Sequence, residues 1–136
     1  MLLTKALVIL LACHFIGDYC LTSKAMLEAK ESGKNLGQLA LHACINGLMI
    51  AVGSYFIGID HFLLFSVIYW VVEFVTHFVI DYVKGLVGRI FPVFRDIHKK
   101  PYWILHGVDQ MLHCCVIIWI LKDIINLYPV YFNLGC

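Results

Sequence analysis

The chain has 136 residues, of which 62% are hydrophobic and 14% are charged, and its mean hydropathy is +0.87. This composition is too apolar for a soluble domain of the same length, so it indicates an integral membrane protein with one short domain. The formal net charge of +1 provides no basic surface for nucleic acid, and we expect no nucleic-acid partner.

Four apolar runs are each long enough to cross a bilayer, which takes about 20 residues in a helix. We predict spans at about 2–21, 36–57, 61–87 and 101–121, within a single transmembrane domain over residues 1–136. Because a lipid-exposed span must satisfy its own backbone hydrogen bonds, these runs predict an all-α membrane four-helix bundle.

The segments between the spans differ in length and character. Residues 22–35 are polar and rich in lysine, and the helix-breaking sequence SGKN predicts a loop with at most one amphipathic turn around Met26 and Leu27. The very short connection at 58–60 makes the second and third spans antiparallel neighbours. Pro101 suits the first turn of the fourth span.

Basic residues collect in the first and third connections. Eight of the ten lie there: Lys24, Lys30, Lys34, Lys84, Arg89, Arg95, Lys99 and Lys100. By the positive-inside rule both connections are cytoplasmic, so we predict a multi-pass protein of the cytoplasmic (inner) membrane with both termini outside, N-out and C-out.

The third span carries an ionisable stripe. Glu73, His77 and Asp81 follow one another at intervals of four residues, so a helix places all three on one face. Ionisable residues in a membrane segment are costly, face the protein interior and mark a functional site. The question is then which other side chains share that site.

Every other span also carries ionisable residues in its cytoplasmic half. They are His14 and Asp18 in the first span, His42 in the second, and His106, Asp109 and His113 in the fourth. His14 and Asp18 also separate the first span from a cleavable signal peptide, because they interrupt its apolar run. Four helices therefore predict a polar His/Asp core in the cytoplasmic half of the bundle.

Three of the polar pairs have helical i, i+4 spacing, which presents an imidazole and a carboxylate on one face. Helix bundles build metal sites from such facing side chains, and this donor set suits Zn, with Mn or Fe as alternatives. The predicted metal ligands are His14, Asp18, His42, His77, Asp81, Asp109 and His113. The competing interpretations are a structural hydrogen-bond network and a proton pathway.

Further roles follow from the same positions. The candidate catalytic bases are Asp18, Glu73 and Asp109, and the candidate substrate contacts are Lys84, His106 and Gln110. Glu73 could instead be protonated and bonded to a neighbouring helix, and Lys84 could pair with Asp81 or snorkel to a lipid phosphate. The six cysteines have no CxxC spacing and are interpreted as small hydrophobic residues.

Three segments, HFIGDYCLTSKAMLEAK, THFVIDYVK and DQMLH, resemble the signatures of the domain of unknown function 3307 family of small bacterial and phage membrane proteins. The resemblance covers nearly the whole chain. It implies that the family's polar positions fall at His14, Asp18, His42, His77, Asp81, Asp109, Gln110 and His113. The pattern is also similar to that of small membrane-bound metal-dependent hydrolases, which array His and Asp across short helices.

The leading functional hypothesis is an intramembrane metal-dependent hydrolase that acts on a lipid or lipid-linked ester or phosphoester. Its expected partners are membrane lipids, and a second copy of the chain or a host membrane protein is a further candidate. The alternative is a protein without enzymatic activity: a metal-binding or ion- or proton-conducting membrane protein, or a phage factor that modulates a host membrane partner.

Overall fold

The computed structural model describes residues 2–57 and 62–127, and helices account for nearly all of them. The α-helices are α1 (Leu2–Phe15), α2 (Lys24–Ser32), α3 (Leu36–Phe56), α4 (Phe62–Ile90) and α5 (Lys100–Leu127). A π-helical turn at Ile16–Cys20 continues α1, and a 3-10 turn at Pro92–Arg95 precedes α5. The described residues contain no β-strand.

Four helices are long and apolar enough to cross a membrane: α1 with its π-helical turn, α3, α4 and α5. The predicted all-α membrane four-helix bundle is therefore confirmed. Two helices extend beyond the predicted spans, to Ile90 and Leu127. Helix α4 ends at Ile90 because the next residue, Phe91, precedes a proline and has an extended backbone. The predicted connection at 58–60 and the chain after Leu127 lie outside the described residues.

The spanning helices form a ring in the order α1, α3, α4, α5, with α5 closing against α1. Helix α4 shows how sequence period selects the two faces. Valines spaced by four residues from Val67 to Val83 are 43 to 52% exposed, whereas Glu73, His77 and Asp81 are 0% exposed. The stripe of apolar side chains therefore faces outward and the ionisable stripe faces the centre of the ring.

Residues 22–35 are not the loop that the sequence predicted, because nine of them form α2. The Ser23 hydroxyl accepts a hydrogen bond from the Met26 N–H and caps the first turn. The helix ends at Gly33, which has the left-handed φ of 61° that favours glycine. The segment between these caps lacks glycine and proline and is rich in strong helix formers, so SGKN ends a helix rather than preventing one.

Helix α2 packs across the end of the ring against α4 and α3. The closest approach is between Gly33 and Gly85 of α4, where a Cβ added to Gly85 would lie 2.6 Å from the Gly33 nitrogen and 2.8 Å from the Lys30 carbonyl oxygen. Only glycine allows the two backbones to come this close. This contact fixes the height at which α2 presents Lys30 to the bundle.

The interior of the ring divides into two regions along its axis. We call the first the apolar half: Ala6, Leu10, Ile50, Tyr69, Ile117, Ile120, Leu121 and Ile124. We call the second, nearer α2, the polar half: His14, Asp18, Lys30, His42, Asn46, Glu73, His77, Asp81, Asp109 and His113. Both regions are almost completely buried.

Candidate metal centre

Helix α4 places its ionisable stripe along the middle of the polar half. The Nδ1 atom of His77 lies 3.2 Å from Glu73 Oε1, and its Nε2 atom lies 3.4 Å from Asp81 Oδ2. His77 therefore joins the two carboxylates through its two ring nitrogens. All three side chains are held by one helix, so their relative positions follow from the spacing alone.

Asp18 is positioned by the π-helical turn at the end of α1. The Leu21 N–H donates to the Ile16 carbonyl oxygen over 2.9 Å, which adds one residue to the turn. The turn lies close to α3, since a Cβ added to Gly17 would meet Asn46 Oδ1 at 2.5 Å. Asp18 consequently faces α2 and α3, whereas His14 faces Glu73, with its Nδ1 atom 3.7 Å from Glu73 Oε1. The expected His14/Asp18 face is thus divided between two neighbourhoods.

The centre of the polar half is a triangle of donor atoms from α3 and α4. His42 Nε2 lies 3.2 Å from His77 Nε2 and 3.3 Å from Asp81 Oδ2, and the His77 to Asp81 edge is 3.4 Å. A tetrahedral Zn ion with bonds of about 2.0–2.1 Å separates its ligand atoms by about 3.3–3.4 Å. The triangle therefore has the dimensions of one face of such a coordination shell.

The Nδ1 atoms of His42 and His77, which face away from the triangle, each have a hydrogen-bond acceptor as partner. The Thr22 hydroxyl donates its single hydrogen to the Asp18 carbonyl oxygen over 2.6 Å, so it accepts from His42 Nδ1 at 3.1 Å. His77 Nδ1 faces the Glu73 carboxylate and donates to it. With both rings neutral, these bonds leave the two Nε2 lone pairs directed at each other and at the carboxylates of Asp81 and Asp18, an arrangement that a proton or a metal ion between them would satisfy.

A second set of donors shares Asp81. His113 Nε2 lies 3.4 Å from Asp81 Oδ1 and 3.6 Å from Asp109 Oδ1, and the three residues form a buried group that could hold a metal ion. The group around His42 and His77 could do so as well. Among the described residues, both oxygens of Asp81 lack a partner with hydrogen-bond geometry. Such unsatisfied buried atoms fit metal ligands better than a completed hydrogen-bond network.

Lys30 is the site residue that sequence reasoning missed, because it was assigned to a cytoplasmic loop. It is 4% exposed, and its Nζ donates to Asp18 Oδ1 over 2.6 Å and lies 3.1 Å from Asp81 Oδ1. Burial opposes its positive charge, but the carboxylates of Asp81, Asp18 and Asp109 outweigh burial and raise the pKa of Lys30. The available signal was the helical spacing of Met26, Ala29 and Lys30 on one face of α2.

The predicted substrate contacts lie at the edge of the polar half near α5. Lys84 donates to Asp109 Oδ2 over 2.9 Å rather than to Asp81, and its Nζ lies 3.3 Å from His106 Nδ1. Gln110 donates from its amide to Asp18 Oδ2 over 2.9 Å. The His106 side chain is 27% exposed, so this edge is the part of the site nearest to the surroundings.

Glu73 and His14 form the deepest part of the polar half. Glu73 Oε1 accepts from His77, and Glu73 Oε2 has no hydrogen-bond partner in the described part of the chain. The same holds for both ring nitrogens of His14. Together with His77 they make a third buried group that could hold a metal ion. Because His77 Nδ1 already donates to Glu73, we interpret Glu73 and His14 as residues outside the coordination shell that orient His77.

Thiolates do not contribute to these groups within residues 2–57 and 62–127. The five cysteines in that part of the chain are free, while Cys136 lies beyond it. Imidazole and carboxylate are therefore the only strong ligands in the polar half as described, a donor set that suits Zn, Mn or Fe.

The chain belongs to the family described as Protein of unknown function (DUF3307). The match covers residues 6–133, which confirms the assignment that the three sequence segments predicted. It includes the whole polar half, and also α2 with Lys30. No curated protein and no solved structure matches this DUF3307 chain.

Proposed function

We propose that the polar half is a catalytic metal centre in which His42 Nε2, His77 Nε2 and Asp81 Oδ2 hold one divalent ion, Zn before Mn or Fe. The observation that carries the proposal is the triangle with edges of 3.2, 3.3 and 3.4 Å between three buried donor atoms. Three protein ligands with a fourth position for water are the usual arrangement of catalytic zinc, whereas structural sites use four protein ligands.

Asp18 is the base in this proposal and not a fourth ligand. Its two oxygens already accept hydrogen bonds from Lys30 and from Gln110, whereas those of Asp81 are unsatisfied among the described residues. Asp18 Oδ1 nevertheless lies 3.0 Å from His42 Nε2, next to the fourth position. A carboxylate placed there can accept the proton of a water molecule that the ion polarises.

The reaction that follows is ester hydrolysis. His42, His77 and Asp81 would hold the ion, which would supply a water of lowered pKa. Asp18 would take one proton from that water as the water oxygen bonds to the carbonyl carbon or phosphorus of the ester. The bond to the leaving oxygen breaks, and that oxygen receives the proton from Asp18. Lys30 remains bonded to Asp18 and keeps it in place. Glu73 is then a positioning residue, because it acts through His77.

Charge balance supports a divalent ion in the polar half. Among the described residues, the charged groups in and beside the polar half are four buried carboxylates, one buried ammonium group and one partly buried ammonium group: Asp18, Glu73, Asp81, Asp109, Lys30 and Lys84. With neutral histidines they leave two negative charges in a buried site, which is costly without further compensation. One divalent ion removes that excess.

Membrane lipids or lipid-linked esters are the proposed substrates because the exposed edge of the site combines cations with apolar surroundings. A small cavity of about 10 Å³ is lined by Lys84 and Arg95, together with Glu31, whose carboxylate accepts a hydrogen bond from the Tyr102 hydroxyl. The two basic groups suit an anionic headgroup at the membrane surface. We place this edge at the cytoplasmic face of the inner membrane, because most basic residues lie at this end of the bundle.

The apolar half argues against the ion- or proton-conducting alternative. Leu10, Ile50, Ile117 and Ile120 are 0% exposed and fill the ring beyond the polar half. A conducting path across the membrane needs polar groups or water along its whole length. In the described part of the chain, the partly exposed His106 edge is the nearest approach to the site and apolar side chains fill the opposite end, which suits an enzyme or a metal-binding protein.

Metal content and activity test the proposal together. Protein purified in detergent without chelator should contain a divalent ion, and His77→Ala should lower metal affinity at least about 10- to 100-fold, which is the usual cost of losing a residue that only orients a ligand. The matched control is His98→Ala, since His98 lies in an exposed segment. Incubation with bacterial lipids should release a product that chelator abolishes and Zn or Mn restores.

Asp18→Asn separates catalysis from metal binding. It should retain the ion and hydrolyse lipid at least ~100-fold more slowly, the scale of lost acid–base assistance. Equal metal content in His77→Ala and wild type would exclude the site. A metal-loaded wild type that leaves all lipids intact would instead support a metal-binding protein or a factor acting on a membrane partner.

A further inference from the structure

Asp81 directs its two carboxylate oxygens at two different sets of donors. Its Oδ2 atom lies 3.3 Å from His42 Nε2 and 3.4 Å from His77 Nε2, whereas its Oδ1 atom lies 3.4 Å from His113 Nε2. A carboxylate that ligates one ion through one oxygen leaves the other oxygen free for a second ion. This bridging arrangement is typical of metal pairs in helix bundles.

The donors around Asp81 Oδ1 are buried and unsatisfied. His113 is 1% exposed, and neither of its ring nitrogens has a hydrogen-bond partner among the described residues. The same is true of Asp109 Oδ1, which lies 3.6 Å from His113 Nε2. A buried imidazole without a partner is costly in a purely structural role, so its direction toward two carboxylates indicates a ligand.

Lys30 does not account for these atoms. Its Nζ forms its hydrogen bond with Asp18 Oδ1, and although Asp81 Oδ1 is 3.1 Å away, that contact lacks hydrogen-bond geometry. The nearest oxygen of Asp109 is 4.0 Å from the ammonium group, and it is Oδ2 rather than Oδ1. The ammonium therefore pairs with both Asp18 and Asp81, but it forms no described contact with His113 or with Asp109 Oδ1, so these two donors are left for another cation.

We infer that the polar half takes a second divalent ion, held by Asp81 Oδ1, Asp109 Oδ1 and His113 Nε2, with Asp81 bridging the two ions. This inference rests on the proposed function and narrows its substrate to a phosphoester. Metal pairs about 3.5–4 Å apart stabilise the attacking and leaving oxygens of phosphoryl substrates.

The charge of the occupied centre favours the same substrate. The four carboxylates and two ammonium groups leave two negative charges, so two divalent ions would leave two positive charges. A phosphate ester and an attacking hydroxide bring negative charge that compensates for this excess, whereas a carboxylic ester is neutral. Lys84, which already contacts Asp109 Oδ2, lies where a phosphate oxygen could meet it.

The test is to titrate metal-free, detergent-purified full-length protein with Mn²⁺ alone. We expect about two ions per chain, with the electron paramagnetic resonance spectrum of a spin-coupled pair, because a bridging carboxylate couples neighbouring ions. His113→Ala should bind about one ion with an uncoupled spectrum, while His98→Ala should match wild type.

The outcomes distinguish this inference from the proposed function. One uncoupled ion in wild type, unchanged in His113→Ala, would overturn the second ion and leave the first site intact. No bound ion in wild type would overturn both. The wild-type spectrum is informative even if His113→Ala fails to fold. In that case His113→Gln, which keeps a polar side chain of similar size, is the second variant expected to bind one ion.

Discussion

In the apolar half, Leu10 of α1, Ile50 of α3 and Ile120 of α5 meet in a completely buried cluster. In the polar half, the same helices supply Asp18, His42 and other ionisable groups that are equally buried. The first region gains stability from packing, whereas the second must offset the cost of desolvating charge.

Burial does not distinguish the two halves. His77 and Ile120 are both 0% exposed. Truncation of Ile120 would leave a void, whereas truncation of His77 would leave unpaired polar groups. Metal should therefore affect variants of the polar half and not those of the apolar half, and the following substitutions are given in order of decreasing effect.

Lys30→Met should produce the largest loss of stability. It removes the ammonium group from Asp18 and Asp81 but keeps the apolar stem, and breaking a buried ion pair costs about 3–5 kcal/mol. Unfolding of the metal-free protein in detergent measures the loss, and saturating Zn or Mn should reduce it by supplying positive charge. The control is Lys34→Met, because Lys34 is exposed. If the two variants unfold alike without metal, the polar half does not depend on Lys30.

Ile120→Ala probes the apolar half. Truncation of a completely buried isoleucine should cost about 2–5 kcal/mol through lost burial and a residual cavity. Metal content and affinity should be unchanged, since Ile120 is not among the metal-binding groups. Ile118→Ala, at an exposed position two residues earlier, is the matched control. A variant that lost its metal while remaining folded would show that the two halves are not independent.

Gly85→Ala should have a smaller but more localised effect. The added Cβ would meet backbone atoms of Gly33 and Lys30, so α2 must shift and move Lys30, at a cost of about 1–3 kcal/mol for overpacking. Thermal unfolding in detergent measures the cost. Gly107→Ala in α5 meets no atom within 4 Å and should be stabilising by up to about 1 kcal/mol. Equal melting temperatures for the two variants would refute the proposed role of the Gly33/Gly85 contact.

The all-α membrane bundle and the inward stripe of α4 could be predicted because both follow from local periodicity. Apolar runs of sufficient length predict spans, and intervals of four residues place Glu73, His77 and Asp81 on one face. The helix α2 could also have been predicted from its composition. Its omission came from extending the break at SGKN backwards over residues that favour a helix.

The positions of His42, His77 and Asp81 in apolar runs already require that they face the protein interior, because they have no favourable lipid-facing position. Which atoms of these residues meet depends on how the helices pack. Because of the π-helical turn, Asp18 and His14 contact different neighbours. The close approach of Gly33 to Gly85 allows Lys30 to be buried in the core. The Gly33/Gly85 contact joins residues far apart in the chain, and both features depend on backbone approach and helix rotation, which periodicity along one helix does not specify.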